Sequence, residues 1–570
     1  MNPLLKPCLL ILLPLLLLVA CINPQSDGED KELTLLYWQA PSLPFPYLAA
    51  GYKDRDAGAI TLEPLAKFDP EGQLVPALAE AIPTVENGGV SPDFMSITWR
   101  LHDDLKWSDG SPLTTRDVAF TWQYCAHPET GCLNSGAFAD IAAVEVVDEL
   151  TVQIIFTEPK AFPYTAFVGA GSPVISQAQF ADCVGPAAND CTEQSSNPLG
   201  SGPYRIVQFR PSEQAAYERN PHYRGETPYF DRVILKGGGD AATAARAVLV
   251  TGDADFAWNL QLEPQQLADM EASGMGTVAS AFASTVERIL VNQTNPDPAL
   301  GANRSEYLDG DNPHPFLTFT PIPQAMSLAI DRVALSEQLY GFAGRPTCNL
   351  IAGPPRYVST ANDECLTQNL AAANQLLDDN GVDDTDGDGI REYNGIPLRV
   401  TYQTTANAVR EETQSLIQDW WRQIGIETEL VQHDASVFFG GDPVADGGAT
   451  YRRFFADVQM YATGPGIEPQ SHLRGQLCTE IMTPENNWAT ENNVRACNPQ
   501  YDQLFAQLAQ TTDNAQRETL VKRLNDILVQ NYYQIPLVSR GVVSAHSKTL
   551  LGVRLNDWDS ELWNIAQWRR

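Results

Sequence analysis

The 570-residue sequence lacks the motifs on which the common enzyme classes depend. It contains no G-x-S-x-G nucleophile elbow, no H-E-x-x-H zinc motif, no Walker A phosphate loop and no dinucleotide-binding glycine fingerprint. Its seven histidines are scattered. This pattern favours a protein that is not an enzyme, and a secreted hydrolase built from residues far apart in the sequence is the alternative from a different class.

Basic residues are few as well. The chain has 37 Lys and Arg against 71 Asp and Glu, which gives a net charge of −34. Nucleic-acid binding depends on clustered Lys and Arg that neutralise phosphates, so a nucleic-acid partner is excluded. The acidic excess indicates a strongly hydrated surface and says little about the fold.

Long apolar runs are absent after the first twenty residues. The run Leu9–Val19 follows Lys6 and is shorter than the roughly 20 residues that a bilayer span needs. A charged start, a short apolar run and a small residue before the break predict a signal peptide over residues 1–20. The sequence LVAC at residues 18–21 resembles the bacterial lipobox, which implies that Cys21 receives lipid and that residues 21–31 form a flexible tether. An ordinary secretory signal with a chance cysteine is the alternative.

The cysteines beyond this leader indicate an oxidising compartment. No C-x-x-C motif occurs, so zinc ligation is a poor interpretation. Many pairings are compatible with eight cysteines. We predict pairing of sequence neighbours, because each bond then closes a short loop in an exported protein. The predicted pairs are Cys125 with Cys132, Cys183 with Cys191, Cys348 with Cys365, and Cys478 with Cys497.

Strand and helix patterns alternate along the chain. Residues 32–38 read as a buried strand, and residues 144–148 and 151–156 as a hairpin. Thr114 and Asp117 have the spacing of a helix N-terminus, where both side chains can bond free backbone N–H groups. Apolar residues recur at helical spacing over 416–424 and alternate over 426–430. The sequence therefore predicts α/β lobes.

Several segments resemble the extracytoplasmic solute-binding proteins of the oligopeptide and dipeptide importers, called family 5. Residues 105–118, LKWSDGSPLTTRDV, resemble its long V-K-W-x-D-G-x-P-x-T-x-x-D-V signature. Residues 197–204, NPLGSGPY, are similar to its N-P-V-G-T-G-P-Y segment. Further similar segments follow the family order at residues 74–80, 219–223, 252–255, 324–332 and 562–565.

The resemblance implies a two-lobed, Venus-flytrap periplasmic-binding-protein fold with an additional inserted α/β domain. Lobe I is then expected at 32–64, 192–290 and 536–570, the inserted domain at 65–191, and the distal lobe at 291–535. Two lobes joined by crossing segments can close around a ligand. The expected function is that of a lipid-anchored, extracytoplasmic monomer that captures peptides and delivers them to an ABC permease with its ATPases.

Candidate ligand contacts lie where predicted strands end beside the cleft. Such positions present side chains without blocking entry, and aromatic faces can stack on a ligand. For each aromatic residue, ordinary core packing is an equal alternative. The candidates are Trp38, Gln39, Trp258, Asn259, Tyr461, Thr463 and Glu468.

The family's usual anchor for a peptide ammonium group is incomplete. Members commonly carry a D-Y-x-D-P-like segment, and the corresponding region here is residues 457–469. The first aspartate of that motif is absent, and Glu468 stands in the place of the second acid. Oligosaccharides or other small solutes are therefore open alternatives to peptides, as is a ligand sensor with the same fold.

An Asp/Gly-rich segment at 384–392, DTDGDGIRE, is the sharpest local chemical motif. Alternating aspartates with a glycine at the sixth position match the front of a calcium-binding EF-hand loop. Gly395 occupies the twelfth position, where a glutamate is usual. A structural calcium ion is predicted, and a plain surface turn is the alternative. The candidate ligands are Asp384, Asp386, Asp388, Ile390 and Glu392.

Overall fold

The computed structural model describes residues 31–49, 51–433, 435–438, 451–486, 488, 490–511 and 513–570. The predicted signal peptide, Cys21 and the tether up to residue 30 lie outside the described residues. The strands are β1 (Glu32–Leu36), β2 (Ala66–Phe68), β3 (Leu74–Pro76), β4 (Ser96–Arg100), β5 (Ile141–Val146), β6 (Thr151–Phe156), β7 (Tyr204–Arg210), β8 (Gln214–Arg219), β9 (Arg232–Lys236), β10 (Phe256–Ala257), β11 (Gly276–Val291), β12 (Gly344–Pro346), β13 (Glu392–Tyr393), β14 (Ile396–Pro397), β15 (Arg399–Thr405), β16 (Glu427–His433), β17 (Val458–Thr463) and β18 (Gln534–Ser547).

The α-helices lie between these strands. They are α1 (Tyr52–Ala59), α2 (Thr115–Ala126), α3 (Gln177–Phe180), α4 (Thr192–Ser196), α5 (Ala241–Arg246), α6 (Pro264–Glu271), α7 (Pro321–Leu328), α8 (Arg332–Leu335), α9 (Leu370–Asp379), α10 (Ala408–Arg422), α11 (Ala435–Phe438), α12 (Gln470–Arg474), α13 (Pro499–Gln510) and α14 (Asn514–Gln530). Within the described residues, none of these helices is long and apolar enough to cross a membrane.

One mixed sheet runs through most of the chain, in the order β16–β15–β17–β11–β18–β10–β1–β9–β8–β7, with β12 also paired to β18. The strands β11 and β18 are its longest members, and they pair antiparallel along most of their length. One end of this pair adjoins β17 and the other adjoins β10. The pair therefore connects two halves of the sheet, and we call it the crossing ribbon.

The two halves have separate hydrophobic cores. One packs Leu33, Leu35 and Tyr37 of β1 against the C-terminal residues Leu562 and Trp568. The other packs the β15 and β17 region against α7, α9 and α10, with Trp421 fully buried. The predicted boundaries at 290/291 and 535/536 fall inside the crossing ribbon, and we keep the division into lobes as a proposal.

A third body lies between β2 and residue 191. Its antiparallel sheet has the order β4–β6–β5, beside the β2–β3 hairpin. Helix α2 begins as predicted, because the Thr114 side chain accepts a hydrogen bond from Arg116 N and Asp117 Oδ2 accepts one from Thr114 N at 2.9 Å. Trp99 and Trp107 are buried in this body's core.

The regular elements that the sequence predicted lie within a few residues of their predicted positions. The predicted first strand and the 144–156 hairpin correspond to β1 and to β5 with β6. Helix α10 contains residues 416–422 of the helix predicted over 416–424; it starts eight residues earlier and ends at Arg422. The eight cysteines form the four predicted pairs.

Candidate functional site

Strand ends from both halves of the large sheet point toward the middle of the crossing ribbon. The last residue of β17, Thr463, lies opposite Val286, next to a register shift between Phe282 and Val286. From the other half, β10 runs antiparallel to β18, with its last residue, Ala257, opposite Ala545. Carboxyl ends of strands in α/β sheets are common ligand positions. The ribbon centre is therefore the candidate binding cleft.

The predicted lobe I contacts come together at this edge. The indole Nε1 of Trp38 donates a hydrogen bond to the backbone oxygen of Asn259 at 3.0 Å. Gln39 is exposed. Trp258 is 6% exposed and stacks on Tyr37 with ring centroids 4.9 Å apart. Trp258 thus packs mainly in the core, whereas Trp38 and Gln39 retain surface that a ligand can reach.

Tyr461 is enclosed by polar neighbours from the crossing ribbon and the distal half. Its hydroxyl accepts a hydrogen bond from Asn493 Nδ2 at 2.8 Å, and its backbone oxygen accepts one from Arg288 Nη1 at 2.9 Å. The Arg288 guanidinium also lies over the Tyr461 ring, 4.6 Å from its centroid. Thr463, two residues further along β17, is half-buried.

Glu468 is already paired within the distal half. Its Oε1 accepts a hydrogen bond from Arg517 Nη2 at 2.7 Å, and its Oε2 accepts one from the Tyr357 hydroxyl at 2.9 Å. The Glu468 and Arg517 side chains are 13% and 3% exposed. Because its charge is compensated, Glu468 offers no free carboxylate for a ligand ammonium group.

Segments that are far apart in the sequence contact one another beside the crossing ribbon. Gly466 N donates a hydrogen bond to Ser284 Oγ at 3.0 Å. The side chains of Ile467 and Trp558 both lie against Gly72 of the third body. Trp558 also lies against Gly353, which belongs to the distal half. These contacts hold the proposed lobes together on one side of the cleft.

Three acidic residues beside the ribbon were not found by sequence reasoning. Asp56 accepts hydrogen bonds from Tyr37 and Ser560, and Glu561 accepts one from Ser544 Oγ of β18. Asp557 Oδ2 accepts one from the backbone N–H of residue 283 in β11 at 3.1 Å. Burial raises the pKa of all three carboxyl groups, that of Asp557 to about 7. Asp56 lies far in the sequence from Asp557 and Glu561, so no local pattern indicated the group.

The acidic loop forms a compact group on the distal half. Carboxylate oxygens of Asp384, Asp386, Asp388 and Glu392 lie within 4.8 Å of one another. The two Asp384 oxygens accept hydrogen bonds from the N–H groups of Gly387 and Gly389. Four hard oxygens at this spacing suit a divalent cation such as calcium.

Comparison with known proteins identifies the class. The sequence profile of the bacterial extracellular solute-binding proteins, family 5 (Middle), matches residues 73–472. The chain therefore belongs to this family, as its motifs predicted. Membership of a family of binding proteins confirms the prediction that the chain is not an enzyme, and it indicates a location outside the cytoplasm.

The chain is also similar to individual curated proteins. A Brucella ovis protein, named as an ABC transporter peptide-binding protein, is 28% identical over 303 residues, 52% of this chain and 51% of its own length. The chain thus spans about half the length of the first curated relatives it matches. The glutathione-binding protein GsiB of Shigella dysenteriae is 24% identical over 491 residues, 85% of this chain and 84% of GsiB.

A solved structure supports the fold. The ABC transporter substrate-binding protein CtaP of Listeria monocytogenes superposes with a TM-score of 0.73 at 19% identity, covering 94% of this chain and 98% of CtaP. This similarity confirms the fold that the sequence predicted, the two-lobed α/β fold of periplasmic binding proteins.

Proposed function

We propose that this protein captures peptides between its two lobes and delivers them to an ABC permease driven by partner ATPases. The observation that carries the proposal is the convergence of strand ends from both halves of the sheet on the crossing ribbon. Ligand that touches both lobes stabilises their closed arrangement, since it binds that arrangement better than the open one. The proposal is supported by relatives named for peptide and glutathione binding.

We expect the ligand to contact Trp38, Gln39, Asn259 and Thr463, with Trp258, Tyr461 and Glu468 supporting the walls. Native mass spectrometry of protein purified without refolding tests the proposal, because a retained ligand reveals its mass. We expect peptides of a few residues, with glutathione as the first single compound to test. Retention of an oligosaccharide, or failure to bind any peptide from a mixed pool, would contradict peptide capture.

We further propose that the mature protein is a monomer anchored through a lipid on Cys21, on the periplasmic or outer face of the cytoplasmic membrane. The support is the lipobox-like sequence at residues 18–21. Cells expressing the full chain and fed a labelled fatty acid should yield labelled protein, and the Cys21→Ser variant should yield none. Release of unlabelled wild-type protein into the soluble fraction would contradict the anchor.

The acidic loop is proposed to bind a structural calcium ion, with Asp384, Asp386, Asp388, the Ile390 backbone and Glu392 as ligands. At a calcium concentration of about 100 times Kd, binding to the folded state adds about 2.7 kcal/mol of stability. We therefore expect calcium to raise the melting temperature of the wild type and to leave that of Asp384→Asn unchanged. Asp379→Asn, an exposed change in α9, should behave as the wild type. Equal calcium responses of all three proteins would contradict the site.

A further inference from the structure

A cavity of about 800 Å³ lies on the distal half, against one face of the β15–β16 pair. The two strands are parallel neighbours, with Thr401 opposite Glu429 and Gln403 opposite Val431. Successive side chains of a strand point to opposite faces, so these four residues share the face that lines the cavity. The other face of β15 packs in the core of the distal half. We call this space the strand-face cavity.

The strand-face cavity differs from the candidate cleft. Asp457, which lines the cavity, directly precedes β17, whereas Thr463 of the cleft is the last residue of that strand. At about 3.3 Å per strand residue, the two positions are roughly 20 Å apart. None of the candidate cleft contacts is among the described residues that line the cavity. Its volume lies within the range of about 300–1,000 Å³ that is typical of small-molecule pockets, so the cavity can hold a ligand of its own.

Asp457 presents a fixed acceptor to this cavity. Its Oδ2 accepts a hydrogen bond from Thr401 N at 2.6 Å, and its Oδ1 lies 2.8 Å from Nε2 of the buried His314. Nδ1 of His314 accepts the backbone N–H of Leu317 at 3.0 Å, so Nε2 carries the proton that is donated to Asp457. The Asp457 side chain is 14% exposed, and each carboxylate oxygen can accept a further hydrogen bond.

Arg304 presents a donor to the same cavity. Its Nε donates to the backbone oxygen of Pro296, and its Nη2 donates to that of Phe455 at 3.0 Å. Nη1 has no acceptor in the described part of the chain. Burial lowers the pKa of Arg304, while the carboxylates of Asp457 and Asp297 oppose that change and favour the charged form. A charged donor and a charged acceptor therefore line one cavity.

The charges that line the cavity restrict the class of ligand. Among the described residues, three carboxylates, those of Asp297, Glu429 and Asp457, stand against the one guanidinium of Arg304. Burial lowers the pKa of His433, so that imidazole is neutral at physiological pH. An anionic ligand would face the three carboxylates, and a cationic ligand would leave Nη1 of Arg304 without an acceptor. A hydroxyl group both donates and accepts, so a neutral polyhydroxylated ligand satisfies both kinds of group.

We propose that the strand-face cavity binds a short neutral saccharide, independently of the ligand in the cleft. Sugar hydroxyl groups donate to Asp457 and accept from Nη1 of Arg304. Pro296, Pro298 and Val431 line the same cavity and supply apolar surface for the C–H face of a sugar ring. Such a mixture of apolar walls and a few placed polar groups is typical of small-molecule sites.

The first test is saturation-transfer NMR with a panel of neutral hexoses and disaccharides, and with glucuronate as the anionic counterpart of glucose. A retained peptide at saturating concentration fills the cleft during the measurement. We expect neutral sugars to bind under these conditions and glucuronate to bind about tenfold more weakly than glucose, because of the three carboxylates. Sugar signals that disappear when peptide is added would place the sugar in the cleft and overturn the proposal. Binding of the diamine putrescine without binding of any sugar would also overturn it.

The second test fills the cavity with a larger side chain. Val431 is half-buried on the lining face, and Val431→Trp should abolish the sugar signals. The matched control is Val333→Trp, at a valine of α8 that is 39% exposed, and it should bind sugar as the wild type does. Unchanged sugar binding in folded Val431→Trp would overturn the proposal, and this comparison decides with or without peptide present.

The third test removes the charge of the fixed acceptor. Asp457→Asn keeps an oxygen for Thr401 N, and we expect it to weaken sugar binding by about tenfold. Glu412→Gln, at an exposed position of α10, is the control and should keep the wild-type affinity. Peptide retention in native mass spectrometry should be equal in the wild type and all four variants. That readout separates loss of the saccharide site from failure of peptide capture.

Discussion

Replacing Asp557 by Asn should stabilise the protein at pH 8 relative to the wild type and have little effect at pH 4. Burial raises the pKa of Asp557 from 3.8 to about 7, and the nearby charge of Asp56 adds to this shift while Arg55 opposes it. Between about pH 4 and pH 7, the Asp557 carboxyl group therefore keeps its proton in the folded state, whereas the unfolded chain has already released it. Stability from this proton is complete below about pH 4 and is lost as the pH rises toward 7.

Asn keeps the acceptor for the backbone N–H of residue 283 and cannot ionise. Since one pKa unit corresponds to about 1.4 kcal/mol, we expect the variant to gain on the order of 2 kcal/mol at pH 8. Urea unfolding at pH 4, 6 and 8 measures the difference. Glu226→Gln, at an exposed position, is the control and should track the wild type. If the free energy of unfolding of Asp557→Asn were lower than that of the wild type by the same amount at every pH, the proposed role of the Asp557 proton would be contradicted.

Replacing Trp558 by Ala should weaken ligand binding by about 30-fold. Trp558 lies against Gly72 of the third body and Gly353 of the distal half, so its ring contributes contacts across the cleft. Truncating a large side chain at such a contact costs about 2 kcal/mol or more, and about 1.4 kcal/mol corresponds to tenfold in Kd. We expect this loss to fall on the closed arrangement, since the contact joins the proposed lobes.

Titration calorimetry with a retained peptide measures this effect. Trp563→Ala is the matched control, since Trp563 lies in the same C-terminal segment and its Nε1 donates to the backbone oxygen of Arg554. We expect that variant to bind as the wild type does. An affinity of Trp558→Ala equal to that of the wild type would show that the contact contributes nothing to closure.

Local patterns in the sequence predicted several of the regular elements, because the causes of those elements are local. The Thr114 and Asp117 cap and the β5–β6 hairpin depend on residues a few positions apart, and both formed as expected. The family motifs extended the prediction from single elements to the whole fold, because they mark segments that occur in a fixed order along the chain. The cysteine pairs followed from short loop closure.

The chemistry of the cleft depends on long-range contacts and could not be predicted in this way. Asp56 and Glu561 are 505 positions apart, yet the charge on one raises the pKa of the other. The pairing of Glu468 with Arg517 joins a loop to α14, and it changes an apparent ammonium anchor into a compensated ion pair.

Small-angle scattering of one protein preparation, with and without a retained peptide, tests lobe closure most directly. The account predicts a smaller radius of gyration when the peptide is bound and a return to the larger value when it is removed. Scattering profiles that coincide under saturating peptide would contradict a function based on two closing lobes.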